Sequence, residues 1–306
     1  MNDELKCGFL DTLDGLLALG ASPLSRKFKD LHAGFIKSKR SHDQGFRGRG
    51  GCSDLYYTEF AIRVLVMLND LPDLPQTAGY LQHKNQWPAG VVHGFSLLNL
   101  IRLLSGCGVR LDPEIRSRLI LTGERMSRVI DRSVNHLFLS AVCGELLGRE
   151  MRRNSAISLG IRDLQQADGG FSQLPGKHPG QTNATASAVA LLAMTDEIEG
   201  FDCQAVVRFL CSMQGESGGL KAHKDALEAD LLSTFTGLVA LSTLEALDAV
   251  DLAAVARFVK KLASPEGGFH GWPGDCGCDI EYTYYGLATC SLLRLRVAAK
   301  YFTLAV

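Results

Sequence analysis

Residues 267–295 read GGFHGWPGDCGCDIEYTYYGLATCSLLRL: a glycine pair with an aromatic, a polar loop, an aspartate, then an apolar run without proline. The same order occurs upstream at a fixed interval. Gly169-Gly170-Phe171, Gly218-Gly219-Leu220 and Gly267-Gly268-Phe269 stand 49 residues apart, and Gln44-Gly45-Phe46-Arg47-Gly48 is a degenerate earlier copy. A fixed period of this length marks a repeat architecture in which each unit is one supersecondary element. The runs after the loops open on small polar residues: Asp54…Thr58, Asn183…Ser187, Asp230…Thr234 and Asp279…Thr283. Asp or Asn in first place suits a helix N-cap, because its side chain accepts from first-turn amides. The runs themselves (TASAVALLAM, STFTGLVALSTL, YTYYGLATCSLLRL) are rich in Ala and Leu and longer than a strand. They predict helices over 55–69, 184–196, 231–245 and 280–294.

Before each glycine pair lies a second helical run of mixed polarity, at Ser155–Gln166, Cys203–Gln214 and Leu252–Leu262, with apolar residues at three- and four-residue steps. Each unit is therefore a hairpin of an amphipathic outer helix, a glycine loop and a more apolar inner helix. Two weaker units place inner helices at Val91–Leu104 and Val134–Leu147, with His93 and His136 near their starts. That makes about six hairpins. An open solenoid needs polar capping repeats, and neither end offers one. The expected fold is all-α, a single α/α toroid of residues 1–306 with its inner helices parallel around a central cavity. An extra N-terminal helix is expected at about 4–20, the repeats at about 24–295 and a C-terminal tail at 296–306.

Composition narrows the function classes. Hydrophobic residues make up 46% of the 306-residue chain and charged residues 21%, enough to bury a sizeable core. Lys+Arg 32 against Asp+Glu 33 gives a net charge of −1 and excludes nucleic-acid binding by bulk positive charge. No apolar run reaches the roughly 18 residues a membrane span needs. The acidic opening MNDELKCGFLDTLDG is unlike a secretory or transit peptide. Nine cysteines, mostly scattered singly, fit reduced thiols, so a cytoplasmic location is expected.

From about Ser41 to Leu295 the chain resembles the α/α toroid family of protein prenyltransferase β subunits and class II terpenoid cyclases. The likeness is greatest to the β subunit of the geranylgeranyltransferase that modifies small GTPases. Gly45-Phe46-Arg47-Gly48-Arg49 with Asp54-Leu55-Tyr56-Tyr57-Thr58 looks like one such unit. His178-Pro179-Gly180-Gln181 resembles the His-Ala-Gly-Gln segment of another. Gly267 through Asp275, with Asp279…Thr283-Tyr284-Tyr285-Gly286, resembles the last.

That resemblance implies transfer of a prenyl group from an isoprenoid diphosphate to a thiol, beside an α-subunit-like protein partner. It also implies a zinc ion held by an Asp, a Cys two residues later and a His in the last inner helix. Asp230 matches the Asp, but Leu232 and Tyr282 stand at the other two positions, so the zinc site is degenerate. Cys276 and Cys278, with Asp275 and His270 nearby, offer alternative ligand types. His178, Lys221, His223 and Lys224 match the places that hold a diphosphate, with a solvated loop as the alternative for the lysines. The second chemistry of the fold is alkene protonation by a carboxylic acid. Asp279-Ile280-Glu281-Tyr282-Thr283 resembles its Asp-rich signature with Glu281 in the acid position, or Glu281 is a first-turn acid favoured by the helix dipole. Tyr56, Tyr57, Phe235, Tyr282 and Tyr285 would wall the cavity. Its polar rim would hold His178, Asp230, Asp279, Glu281 and Tyr282. A non-catalytic lipid- or protein-binding toroid is the third reading.

Overall fold

The computed structural model describes residues 8–71, 74–84, 87–128, 133–151 and 155–303. Among them lie thirteen α-helices and no strand beyond isolated bridges. Helix α1 (Phe9–Ala21) precedes six hairpins, each an even-numbered outer helix followed by an odd-numbered inner one. The outer helices are α2 (Arg26–Ser38), α4 (Leu74–His83), α6 (Pro113–Ser127), α8 (Ser155–Arg162), α10 (Cys203–Ser212) and α12 (Leu252–Leu262). The inner helices are α3 (Leu55–Met67), α5 (Val91–Gly106), α7 (Val134–Leu146), α9 (Thr182–Thr195), α11 (Leu231–Thr243) and α13 (Ile280–Thr303). Each inner helix packs on the next, and α13 packs back on α3, so the ring is closed. The outer helices are amphipathic: α12 buries Val255, Phe258, Val259 and Leu262 and leaves its other face to solvent.

Local chemistry fixes where each inner helix starts. Asp54, Asp230 and Asp279 cap α3, α11 and α13, accepting from the amides of Tyr57 (2.7 Å), Ser233 (2.7 Å) and Tyr282 (2.9 Å). Four residues after each cap a buried threonine accepts from the apolar residue of the glycine loop. Phe46 N–H donates to Thr58, Phe171 to Thr185, Leu220 to Thr234 (2.9 Å each) and Phe269 to Thr283 (3.1 Å). This corrects one register. The repeat in α9 runs from Gln181 to Thr185, not from Asn183 to Ser187. Gln181 holds the cap position without a side-chain hydrogen bond, and Asn183 lies inside the helix.

The glycines explain ring closure. Gly169, Gly218 and Gly267 all have positive φ (89°, 98° and 93°). A Cβ on Gly169 would meet the Ala205 carbonyl of α10 at 2.5 Å, and one on Gly218 would strike the Ala254 carbonyl of α12. One on Gly267 would meet the Leu31 carbonyl of α2 at 2.6 Å. The second glycine of each pair similarly abuts Phe209, Phe258 or Phe35, four residues further along the same outer helix. The first outer helix thus stands against the last loop as α10 and α12 stand against theirs. His32 of α2 adds an acceptor: its Nδ1 takes the Gly268 N–H at 3.0 Å, and burial lowers its pKa to about 4, keeping the ring neutral. In the degenerate copy Gln44 takes the left-handed conformation itself (φ 71°), at a cost of about 1–2 kcal/mol.

Helix α1 closes the end of the barrel at which the inner helices finish. It packs on α13 and α3 and buries Leu10, Leu17 and Ala21. The amide of Phe9 donates to Glu145 of α7 at 3.1 Å. Asp14 receives Arg63 of α3 (3.3 Å) and Arg102 of α5, and Arg102 also reaches Asp11 (2.5 Å). The last helix continues past Leu295 through Thr303. Among the described residues no helix is long and apolar enough to cross a membrane.

Closure at the seam makes a testable demand. Gly267→Ala should lower stability in denaturant unfolding by more than about 1 kcal/mol, from the positive φ alone and more from the Leu31 clash. A change within experimental error would mean that α2 is not held against the last loop.

Candidate functional site

The inner helices enclose a cavity of about 370 Å³ along the barrel axis. Its mouth is formed by second- and third-position residues of the inner helices and one loop residue: Tyr56, Val92, Asn135, His136, Gln173, Asn183 and Leu232. Its wall is aromatic and aliphatic, with Phe60, Phe95, Phe138, Leu139, Phe235, Val239, Tyr284 and Tyr285. Phe9, Leu10 and Leu13 of α1 close the far end. Tyr56, Phe60, Phe235, Tyr284 and Tyr285 form one network of rings. Phe235 stacks on Tyr285 (centroids 5.6 Å, 29°), and Phe60 meets Tyr285 edge-on (5.5 Å, 76°). A second cavity of about 580 Å³ lies on the other side of α1 and shares Phe9, Leu13 and Val239, so α1 acts as a partition.

Of the five aromatics expected from sequence, Tyr56, Phe235 and Tyr285 line this cavity. Tyr57 and Tyr282 sit outside its lining, their rings packed over Gly48 and Gly271, where a Cβ would approach them to 2.5 and 2.6 Å. The carboxylates of the expected rim mainly cap helices. Asp230 uses both oxygens on Ser233, through the amide (2.7 Å) and the hydroxyl (2.8 Å), while burial raises its pKa. Asp279 caps α13 and receives Arg49 Nε at 2.9 Å. Arg49 also grips Asp275 with two bonds (2.7 and 2.6 Å), tying the first loop to the last. Burial raises the Asp275 pKa, but Arg49 and the Gly271 and Gly277 amides outweigh it and leave it lowered.

Glu281 is not among the residues lining the cavity and accepts from the Tyr285 hydroxyl at 3.2 Å. Burial raises its pKa, against hydrogen bonds from Tyr56 and Tyr285. The side chains of His178, Lys221, His223 and Lys224 are not among those lining the cavity. His178 and Lys224 are exposed. The loop of Lys221 docks on the start of α9, where its carbonyl accepts from Thr182 Oγ1 (2.5 Å).

Zinc does not fit the residues present. Leu232 has no ligand atom and lines the cavity, and both Asp230 oxygens are occupied by its cap. Burial pushes the Tyr282 phenol up to about 12, away from the ionised form a metal would need. His270, Cys276 and Cys278 line a surface groove beside α2, with Cys276 exposed and the Cys278 thiol raised by burial. Among the described residues no three His, Cys, Asp or Glu side chains gather to hold a metal.

Sequence reasoning missed the polar groups deep in the cavity. Glu59 and Arg63 line it from α3, Ser96 from α5 and Tyr284 from α13. Glu59 is fully buried, accepts from Asn99 Nδ2 and lies 3.7 Å from Arg63. The available signal was a Glu and an Arg one turn apart in an otherwise apolar inner helix, TEFAIRVLVM.

Residues 9–89 and 127–304 match the family model of the prenyltransferase alpha-alpha toroid domain. This chain belongs to that family. Its structure is similar to that of Candida albicans protein geranylgeranyltransferase-I complexed with GGPP, at 16% identity and a TM-score of 0.48. That alignment covers 93% of this chain and 83% of the other. No curated protein matches the chain.

The state of Glu59 is measurable. Burial raises its pKa from 4.5 to about 7, although Arg63 and Asn99 oppose the shift. The folded state therefore keeps a proton that the unfolded chain releases, so this contribution to stability is full below pH 4.5 and is lost as pH rises through about 7. Glu59→Gln should gain stability relative to the unsubstituted protein as pH rises across that window, in parallel unfolding titrations. A constant difference at every pH would show that Glu59 ionises normally.

Proposed function

We propose that this protein binds an isoprenoid chain in its central cavity, with the ligand's polar head at the mouth where the inner helices begin. The cavity carries this reading. It is axial, closed at one end by α1, walled by aromatic rings, and at about 370 Å³ lies in the range of small-molecule sites. Aromatic faces suit a polyene and stabilise positive charge that develops along it. The free amides and positive dipole ends of parallel helices favour an anionic head such as a diphosphate. Membership of the prenyltransferase toroid family supports the same ligand class.

In the transferase version, the diphosphate leaves and a thiol acceptor takes the prenyl group. The family resemblance favours this version, with a cytoplasmic α-subunit-like partner. The thiol would then be activated without the family's zinc ion. Titration of the full chain with farnesyl and geranylgeranyl diphosphate, before and after chelator dialysis, tests the binding. Affinity should survive the chelator. Ala186→Phe, which pushes a ring into the cavity, should weaken binding about tenfold or more, equivalent to about 1.4 kcal/mol. Unchanged affinity in that variant would place the ligand elsewhere.

A second reading, acid-initiated cyclisation, is favoured by the raised pKa of Glu281 beside Tyr56 and Tyr285. Here Glu281 would act protonated, so Glu281→Gln should abolish product while leaving ligand binding nearly intact. Incubation with geranylgeranyl diphosphate alone separates the readings. A cyclised skeleton that keeps its diphosphate favours the cyclase. Consumption only when a cysteine peptide is added favours the transferase.

A further inference from the structure

The deep end of the cavity is polar in a way its aromatic wall does not require. Glu59, Arg63, Ser96 and Tyr284 all line it, yet they are only 0%, 9%, 1% and 1% exposed. Each carries a buried polar atom without a hydrogen-bond partner: Glu59 Oε2, Arg63 Nε, Ser96 Oγ and the Tyr284 hydroxyl. An orphan of this kind is costly to bury, and native proteins hold few of them. Four around one cavity require a partner that packing alone does not supply.

The rest of the cluster is pinned. Asn99 donates to the other Glu59 oxygen, and Arg63 Nη2 donates to Asp14 at 3.3 Å. The Arg63 guanidinium lies 4.2 Å from the centre of the Tyr284 ring. These contacts fix the side chains and leave one acceptor beside several donors. We propose that this floor is a subsite for a neutral oxygen group, of which a hydroxyl fits best, on the far end of the bound chain.

The chemistry selects that class. Arg63 is already paired with Asp14 and Glu59, so a second anion would find the local cation taken, and a second cation would meet Arg63. A hydroxyl both donates and accepts, so it can hydrogen-bond Glu59 Oε2 in either protonation state and accept from Ser96 or Tyr284. Glu59 and Arg63 lie three and seven residues beyond Tyr56 of the mouth, and Ser96 four beyond Val92, about 4.5, 10 and 6 Å deeper at 1.5 Å per residue. The head at the mouth and the oxygen at the floor therefore belong to opposite ends of one ligand. This inference rests on the reading that an isoprenoid occupies the cavity. A site built to hydrogen-bond a hydroxyl discriminates strongly against the analogue without it.

The test compares two ligands that differ by one oxygen. Farnesyl diphosphate and 12-hydroxyfarnesyl diphosphate, with the geranyl pair as shorter controls, are titrated into the full chain and into the Ser96→Ala, Tyr284→Phe double variant. Glu59→Gln, which keeps the shape and the bond from Asn99 but turns the orphan acceptor into an amide donor, serves as a second variant if the double variant unfolds. A hydroxylated ligand should bind about tenfold tighter than its parent to the unsubstituted protein. That advantage should shrink below about threefold in the double variant, whatever the change in the parent ligand's own affinity. For Glu59→Gln the hydroxyl advantage should likewise fall, since its acceptor is altered. Equal affinity of the two ligands for the unsubstituted protein, or an advantage unchanged in the variants, overturns the floor subsite alone. Failure of every ligand to bind overturns the isoprenoid reading and the subsite with it.

Discussion

One threonine hydroxyl in each of four units joins a glycine loop to the helix that succeeds it. Thr58, Thr185, Thr234 and Thr283 are fully buried, and each accepts the amide of the loop's apolar residue while donating to the carbonyl at its own cap position. The loop amide has no strand to pair with, and the cap carbonyl gains a second donor, so a single side chain settles two buried backbone groups. The fixed offset places the loop over the helix start in each of these four units. It also sends Phe46, Phe171, Leu220 and Phe269 into the core, each with 0–1% exposure. Tyr56, Asn183 and Leu232 at the mouth of the barrel inherit their positions from this latch.

Closure converts those equivalent units into a cavity. Because α2 meets the Gly267-Gly268 turn as α10 and α12 meet the preceding ones, the chain bends through a full ring. Arg49, gripping Asp275 and Asp279, secures the seam with charge-assisted bonds. Asp279, which opens the Asp-rich signature, is therefore engaged in joining first loop to last. Opposite them, α1 fills the axial opening through Phe9, Leu10 and Leu13 and is anchored by Asp14 on two arginines.

The fold was legible because its signals are local and periodic. The 49-residue interval, the Asp caps and the Ala- and Leu-rich runs each report one physical requirement of a helical hairpin. The register in α9 was misread because Asn183 has better capping chemistry than Gln181, while the decisive group, Thr185, is a tertiary acceptor that no capping rule weighs. The site was less legible for the same reason. Which face a helix presents to the axis is set by packing against two neighbours, so Tyr56 enters the cavity while Tyr57 covers Gly48. The charged loop of Lys221, His223 and Lys224 stood out in sequence, yet it faces the start of α9. The buried Glu59 and Arg63 were hidden inside an apolar run and acquire meaning only when α5, α13 and α1 bring Asn99, Tyr284 and Asp14 to them.

The central claim is that an isoprenoid lies along the barrel axis between the helix starts and α1. Photoaffinity labelling with a farnesyl diphosphate analogue carrying a diazirine on its terminal isoprene unit tests it most directly, with the modified residues located by mass spectrometry. The account predicts labels within α3, α5, α11 and α13 at residues of the cavity wall, such as Phe60, Phe95, Phe235 and Tyr284, and on α1 at Leu10 or Leu13. Labels should be lost on competition with unmodified farnesyl diphosphate. Competable labelling confined to the groove of Cys276 and Cys278, or to the outer side of α1 around Leu16 and Met151, would contradict it.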